Sequence, residues 1–548
     1  MTAPPTALPS GPPELAAVVA RGLVDAGLAA PEEVAEPAFE RPRNRDHGDW
    51  ATNVALTLAR PLGRPPRELA QAVVDHLTLP PDVERVEVAG PGFINFTLSH
   101  EALERIVVQA VTLGPRWGRS DEGAGGAINM EFVSANPTGP LHVGAGRWIA
   151  AGDAMASLLQ ATGWAVTREY YLNDAGNQLE TFGRSVAARM RGEPVPEGGY
   201  QGAYISELAA VLQAAGVAPE PLGALTEQAY ERMLAHIKDT VAALGVDFDV
   251  WFSERTLHAS GAIDAVVDRL EQAGHAYRFD GAVWLRTTAF GDDKDRVLIR
   301  TDGRPTYFAA DCAYMASKFE RGAQHAVYLL GADHHGYVGR LQAIADAEGI
   351  GRAHVEIIVG QLVNLYRGGE AVRMSKRTGD MVVLDELLAE VGADAARYTF
   401  LRFSLDVTID FDIAEVVRQE RENPVYYVQY SCARIAGIMR TARERGVEPG
   451  EVVDADLALL RHDAEEELIR RIGAFPETVA YAAAERAPHK IARYAEELAA
   501  AFHVFYTECQ VLSDDPALTR ARFHLCVAAR ATLAGALNLL GVSAPERM

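Results

Sequence analysis

Hydrophobic positions along the 548-residue chain change their period several times. Residues 127–133 read as a short buried strand, and residues 148–162 repeat apolar side chains at helical spacing. Between them lies Asn136-Pro137-Thr138-Gly139-Pro140-Leu141-His142-Val143-Gly144-Ala145-Gly146-Arg147, a loop of small and polar residues. A strand, a small-residue turn and a helix N-terminus form an anion site in α/β folds, because free N–H groups and the helix dipole favour phosphate there. Further strands are expected at 164–171, 247–254, 326–330 and 355–359. They alternate with helical stretches at 261–274 and from 305 onward, the pattern of a parallel sheet.

The flanks read differently. Residues 1–122 predict a separate α+β module, with a helix at 13–29 and strands at 86–88 and 91–98. Alternation puts Phe93 and Asn95 on one face, Ile94 and Phe96 on the other. An exposed aromatic beside an amide suits stacking on and hydrogen bonding to an unpaired base. If helices cover both faces, the same residues are ordinary core. Residues 180–245 are Ala-rich and helical, interrupted at 192–200, and form an insertion between the two halves of the sheet. Residues 282–286 and 296–300 predict a two-stranded excursion. Residues 401–548 predict four long amphipathic helices at 418–441, 455–478, 490–512 and 518–540. They carry Arg434, Arg440, Arg470, Arg471, Arg493, Arg520, Arg522 and Arg530, either as an RNA-docking face or as the solvated side of a bundle. The expected architecture is thus an α/β Rossmann-type catalytic domain (123–400, with the insertion), an N-terminal α+β module (1–122) and a C-terminal all-α helical bundle (401–548).

Composition narrows the function classes. No apolar run approaches the roughly 20 residues a membrane span needs. A formal charge of −23 argues against bulk-charge nucleic-acid binding, though not against a local basic face. Cys312, Cys432, Cys509 and Cys526 are far apart, which suggests neither a zinc site nor a disulfide framework; a reducing cytoplasm is expected. The Pro-rich N-terminus lacks the basic region of a signal peptide. Five lysines (238, 294, 318, 376 and 490) stand against 47 arginines, so the lysine at 376 reads either as a place where a compact point charge is wanted or as a solvated loop cation. Lys376 lies in Arg373-Met374-Ser375-Lys376-Arg377-Thr378-Gly379.

His142-Val143-Gly144-Ala145 after a strand, followed much later by Arg373-Met374-Ser375-Lys376, resembles the paired signatures of class I aminoacyl-tRNA synthetases. Those enzymes form an aminoacyl-adenylate by in-line attack of a carboxylate on the α-phosphate of ATP, which is mostly positioning and charge stabilisation. A guanidinium substrate needs planar, bidentate carboxylate partners. Glu254 at a strand end, and Asp311 one helical turn from Tyr307, are a suitable set.

The chain resembles the arginyl-tRNA synthetase family over nearly all its length. The likeness is carried by residues 47–53, 91–96, 131–147, 171–178, 307–311, 373–379, 392–398, 426–430 and 540–548. It implies that Glu131 and Asn136 hold the α-amino end of L-arginine, and that Glu254, Tyr307 and Asp311 hold the guanidinium. His142, Gly144, His335, Met374, Ser375 and Lys376 would line the ATP site, with His142 and Lys376 catalytic. It further implies ATP with Mg2+ as co-substrate, tRNA(Arg) as partner, a monomer, no resident metal, and activation that commonly needs bound tRNA. Phe93 and Asn95 would meet a D-loop base; Tyr506 and Met548 would lie near the anticodon. Two positions depart from the family pattern: the second His of the first signature is Ala145, and the first Lys of the second is Arg373. A non-catalytic tRNA-binding paralogue and another adenylate-forming ligase of the class I fold are the alternatives.

Overall fold

The computed structural model describes residues 11–30, 35–42, 44–372, 382–418, 420 and 422–548. The N-terminal part is an antiparallel sheet of β1 (Phe39–Glu40), β2 (Trp50–Thr52), β3 (Val83–Ala89) and β4 (Phe93–Leu98), in the order β1-β2-β4-β3. Helices Pro12–Asp25, Val54–Leu62 and Pro66–Val74 pack on it around Leu15, Val19, Trp50, Leu69, Ile94 and Phe96. Strand β2 lies inside a stretch that reads as a polar loop. Its neighbour Gly48 has φ 79°, and a Cβ there would sit 2.5 Å from the Phe96 carbonyl, so only glycine lets the loop lie against β4.

The central sheet is parallel, in the order β12-β11-β5-β6-β7. It is built from β5 (Ala127–Ala135), β6 (Ala165–Leu172) and β7 (Val250–Ser253). An excursion of β8 (Ala276–Phe279), β9 (Ala282–Leu285) and β10 (Arg296–Ile299) follows, before β11 (His325–Gly331) and β12 (Val355–Gly360). Three strands replace the expected two in the excursion. Asp280 (φ 48°) and Gly281 (φ 75°) form the two-residue turn that joins β8 to β9. The chain leaves β5 towards β6 and β7, then returns on its other side as β11 and β12. The crevice at this reversal, at the C-terminal ends of the strands, is where ligands bind in such sheets.

Helix Val143–Ala161 begins five residues before the apolar period does. Glycines 144 and 146 blur that period. Conversely β7 stops at Ser253, and Glu254 opens helix Glu254–Ala259. Residues 180–245 contain helices Asn177–Met190, Ala203–Ala214 and Leu222–Ala243, whose buried residues join the core of the central sheet. A small sheet of β13 (Val363–Arg367), β14 (Glu370–Ala371) and β15 (Ile409–Asp412) was not legible in the pattern; β13 and β15 pair in parallel across more than 40 residues.

The C-terminal part is a bundle of helices Pro424–Glu444, Asp463–Gly473, Phe475–Ala484, Pro488–Glu508 and Pro516–Leu539. The single helix expected at 455–478 is broken after Gly473, where Pro476 lies in the first turn of the next helix and cannot donate a backbone hydrogen bond. Much of the expected basic face is neutralised by ion pairs. Arg470 pairs with Asp49 and Glu466, Arg471 with Glu467 and Glu497, Arg493 with Glu497, Arg522 with Glu465, and Arg530 with Glu546. The Asp49–Arg470 pair (2.6 Å) and Arg41–Glu477 (3.2 Å) dock the N-terminal module on the bundle.

Candidate active site

His142 is the N-cap of helix Val143–Ala161: its Nδ1 accepts the Ala145 N–H at 3.1 Å. An acceptor Nδ1 puts the proton of the neutral ring on Nε2. A Cβ on Gly144 would lie 3.0 Å from that Nδ1, and one on Gly146 would lie 2.6 Å from Leu384. Both glycines therefore permit close approach, the first by the His142 ring and the second by the chain that follows the second signature. That chain is stitched to the first signature by an antiparallel bridge between His142 and Val383 and by Leu384 N–H to Leu141 O at 2.8 Å. Met374, Ser375 and Lys376 themselves lie outside the described residues. Tyr204, from the insertion, donates to the Thr138 carbonyl at 2.9 Å and props the signature loop.

The acids predicted from the sequence gather at the same end of the sheet. Glu131 is on β5, next to a bulge in the β5–β6 register between Glu131 and Val133, a device that re-aims side chains beside sites. Asn136 donates to Gln178 on helix Asn177–Met190. Tyr307, largely exposed, and Asp311 open helix Tyr307–Glu320. Asp311 accepts a hydrogen bond from Tyr337 at 2.7 Å. Burial pushes its carboxyl up to about 7; the Tyr337 bond opposes this, and negative Glu131 and Glu254 add to it. Glu254, nearly fully buried, is also raised by burial, with His258 at 3.8 Å opposing. Tyr171 lies among the same three carboxylates; burial and then their charges raise its phenol. The pocket is thus over-supplied with negative charge.

Glu254 is held from both sides. Asp174 accepts from Ser253 Oγ at 2.7 Å, from Tyr230 Oη at 2.8 Å and from the Arg255 N–H at 3.2 Å. The residues before and after Glu254 are therefore fixed by one buried carboxylate, itself braced by helix Leu222–Ala243. A neighbouring cavity of about 580 Å³ is lined by Asp174, Gly176, Leu179, Arg255 and His258. His335 is exposed in the short helix Ala332–Tyr337 at the end of β11.

Behind the acids lies a buried polar network that sequence reasoning missed. Lys318 Nζ is 2.8 Å from Glu169 Oε1, from Asn129 Oδ1 and from Tyr314 Oη, and 3.2 Å from Glu131 Oε2. Arg321 makes two further bonds to Glu169, at 2.5 and 3.1 Å. Burial alone would raise the Glu169 carboxyl; the Lys318 charge and these hydrogen bonds outweigh it and hold it at about 2. The available signal was the scarcity of lysine. Asp174 and Tyr337 left weaker traces: one inside, the other just beyond, stretches the sequence already marks.

In the N-terminal module Phe93 is half-buried, while Asn95 is buried. Asn95 forms part of the wall of a cavity of about 480 Å³ with Asp46, His47, Arg67, Gln71 and Glu87, and Phe93 does not. In the bundle Tyr506 lies under the Arg434 guanidinium at 4.6 Å from its ring centre. Met548 is exposed, and Arg440 and Arg530 hold Glu546 two residues before it.

Three family descriptions match successive parts of this chain. Residues 14–98 match the arginyl tRNA synthetase N terminal domain, residues 223–401 the class I (R) tRNA synthetase catalytic domain, and residues 428–548 the DALR anticodon binding domain. The arginine–tRNA ligase of Frankia alni is 48% identical over 548 residues, covering 97% of this chain and 98% of that protein. The chain belongs to the arginyl-tRNA synthetase family. The Micrococcus luteus arginine–tRNA ligase is likewise 48% identical, covering 98% of this chain and all of that one. Among solved structures, the Thermus thermophilus arginyl-tRNA synthetase superposes with a TM-score of 0.79 at 26% identity, covering 97% of this chain and 99% of that one. The three matches follow one another along this chain in the order of its N-terminal module, parallel catalytic sheet and helical bundle.

Proposed function

We propose that the chain attaches L-arginine to the 3′ end of tRNA(Arg) in two steps at the C-terminal end of the central sheet. First the arginine carboxylate attacks the α-phosphate of ATP, giving arginyl-adenylate and pyrophosphate; then a hydroxyl of the tRNA's terminal ribose attacks the arginyl carbonyl, forming an ester and releasing AMP. The observation that carries this reading is the convergence of Glu254 and Asp311 with Glu131, and the upward push on the Asp311 carboxyl to about 7. A pocket that resists its own negative charge is stabilised by an incoming cation, and a guanidinium can pair with two carboxylate oxygens at once.

In this reading Glu131 and Asn136 hold the α-amino end, and Glu254, Tyr307 and Asp311 the guanidinium. Gly144 and the His142 Nε2–H serve the phosphates, together with His335 and the Met374-Ser375-Lys376 segment. Magnesium would come with ATP and offset phosphate charge, with no protein ligand assigned to it. Ala145 removes one imidazole donor from the family pattern; a hydrogen bond to a charged group is worth roughly 1.5–3 kcal/mol. His142 and Lys376 keep the two catalytic donors, which supports an active ligase over a non-catalytic paralogue. We divide the chain at about residues 122 and 400, with Phe93 and Asn95 meeting a D-loop base and Tyr506 and Met548 near the anticodon. The enzyme acts as a cytoplasmic monomer; among the described residues no helix is long and apolar enough to cross a membrane.

The test compares L-arginine with L-citrulline, which replaces the guanidinium by a neutral group of similar shape. Calorimetric titration of the wild type should show arginine bound and citrulline at least 100-fold weaker, on the order of the loss when buried charged partners go unpaired. Equal affinity would remove the acids from substrate recognition.

A further inference from the structure

Helix Tyr307–Glu320 presents Tyr307, Asp311, Tyr314 and Lys318 at intervals of four, three and four residues, the spacing of a single helix face. That face runs from the substrate pocket into the protein interior. At its pocket end Asp311 bonds Tyr337. Two turns further on, about 10 Å along the axis, Lys318 is fully buried and touches both Glu131 on β5 and Glu169 on β6. Tyr314, between them, donates to Glu169 at 2.7 Å and packs on Tyr171 and Phe252. Glu169 already has the forked guanidinium of Arg321. The two buried acids are therefore matched by two cations, and the share of Lys318 that Glu169 does not require falls on Glu131.

Removing a charge this deep from water is costly, and it persists only with close partners. A lysine contributes here what an arginine fork does not: one compact charge bridging strand and helix. We propose that Lys318 is a positioning residue that fixes the separation between the carboxylate facing the substrate's α-amino group, Glu131, and those facing its guanidinium, Asp311 and Glu254. The chain thereby measures the length of the substrate's side chain. This rests on the site reading above. Lys318 touches no substrate atom; it acts by locking the guanidinium-binding helix to the strand that carries Glu131.

The experiment measures pyrophosphate exchange, with tRNA present, for L-arginine and for L-homoarginine, whose arm is one methylene longer. The variants are Lys318→Met and Tyr314→Phe, with thermal unfolding followed in parallel. Misplacing a positioned group by about 1 Å costs on the order of 100-fold. Lys318→Met should therefore raise the arginine KM by about tenfold or more, with a smaller change in kcat. The arginine-to-homoarginine ratio of kcat/KM should fall by a comparable factor. Tyr314→Phe, which removes one hydroxyl from the network, should move that ratio in the same direction by about two- to threefold, and it decides the matter if Lys318→Met does not fold. Equal losses for both substrates, or an unchanged ratio in Tyr314→Phe, would overturn the proposal. Glu131→Gln separates the two levels. If it leaves the arginine KM unchanged, the site reading fails; if it raises KM while the ratio survives in both network variants, only the positioning role fails.

Discussion

Acidification should weaken arginine binding, with Asp311 the main contributor to the slope. Asp311 has its carboxyl pushed up to about 7, first by burial and then by the charges of Glu131 and Glu254, against the bond from Tyr337. A guanidinium pairs only with the ionised form, so below this value binding must release a proton. The apparent dissociation constant then scales as one plus the ratio of protonated to ionised Asp311. That factor is about 11 at pH 6 and about 1.1 at pH 8, a tenfold loss of affinity on going down, with a plateau above. The sign for stability runs the other way. The empty folded protein binds more protons here than the unfolded chain between 3.8 and about 7, so its stability falls as pH rises through that window, and arginine offsets the loss. Calorimetric titration of arginine from pH 6 to 8, in buffers of different ionisation enthalpy, reads both the affinity and the proton released. Asp311→Asn should bind arginine more weakly and lose most of the slope. A wild-type affinity flat across this range, or an undiminished slope in Asp311→Asn, would refute the reasoning.

Gly144→Ala, which puts a methyl 3.0 Å from His142 Nδ1, should displace the ring and lower the activation rate with little change in arginine KM; an unchanged rate would take His142 out of the phosphate site. Lys376→Ala should lower the rate of adenylate formation far more than arginine affinity, and equal losses in single-turnover kinetics would contradict a transition-state role. Asp174→Ala frees Ser253 and the Arg255 N–H on either side of Glu254, so the arginine KM should rise while the ATP KM holds; parallel rises would mean general disruption. Removing Met548 should slow tRNA charging without altering ATP affinity, and unchanged charging kinetics would dismiss the anticodon assignment.

The strand, turn and helix start around His142 were readable because their geometry is local. A strand, a turn with Gly144 and Gly146, and a helix start lie within 35 residues, and His142 caps the helix it precedes. The pair Tyr307 and Asp311 was readable for the same reason, being one turn apart on one helix. What the sequence concealed depends on contacts between distant segments. Lys318 meets Glu131 and Glu169 from almost 190 and 149 residues away, and no period or motif marks that meeting. Asp174 is joined to Ser253 across 79 residues and to Tyr230 across 56. Short strands such as β2 and β8 were missed because three or four residues hold too little alternation to stand out from a loop. The bundle's arginines left two readings open for a related reason: composition shows the cations, while their pairing with Glu465, Glu467 and Glu497 appears only once the helices are packed.

The central claim is that this site activates arginine with ATP. Pyrophosphate exchange measured with each of the twenty amino acids, with and without total tRNA, tests it most directly. Exchange with arginine alone is the predicted result, and its dependence on tRNA reports whether the bound partner completes the site. Exchange with a different amino acid, or none under either condition while tRNA still binds, would contradict it and make Ala145 the mark of a lost activity.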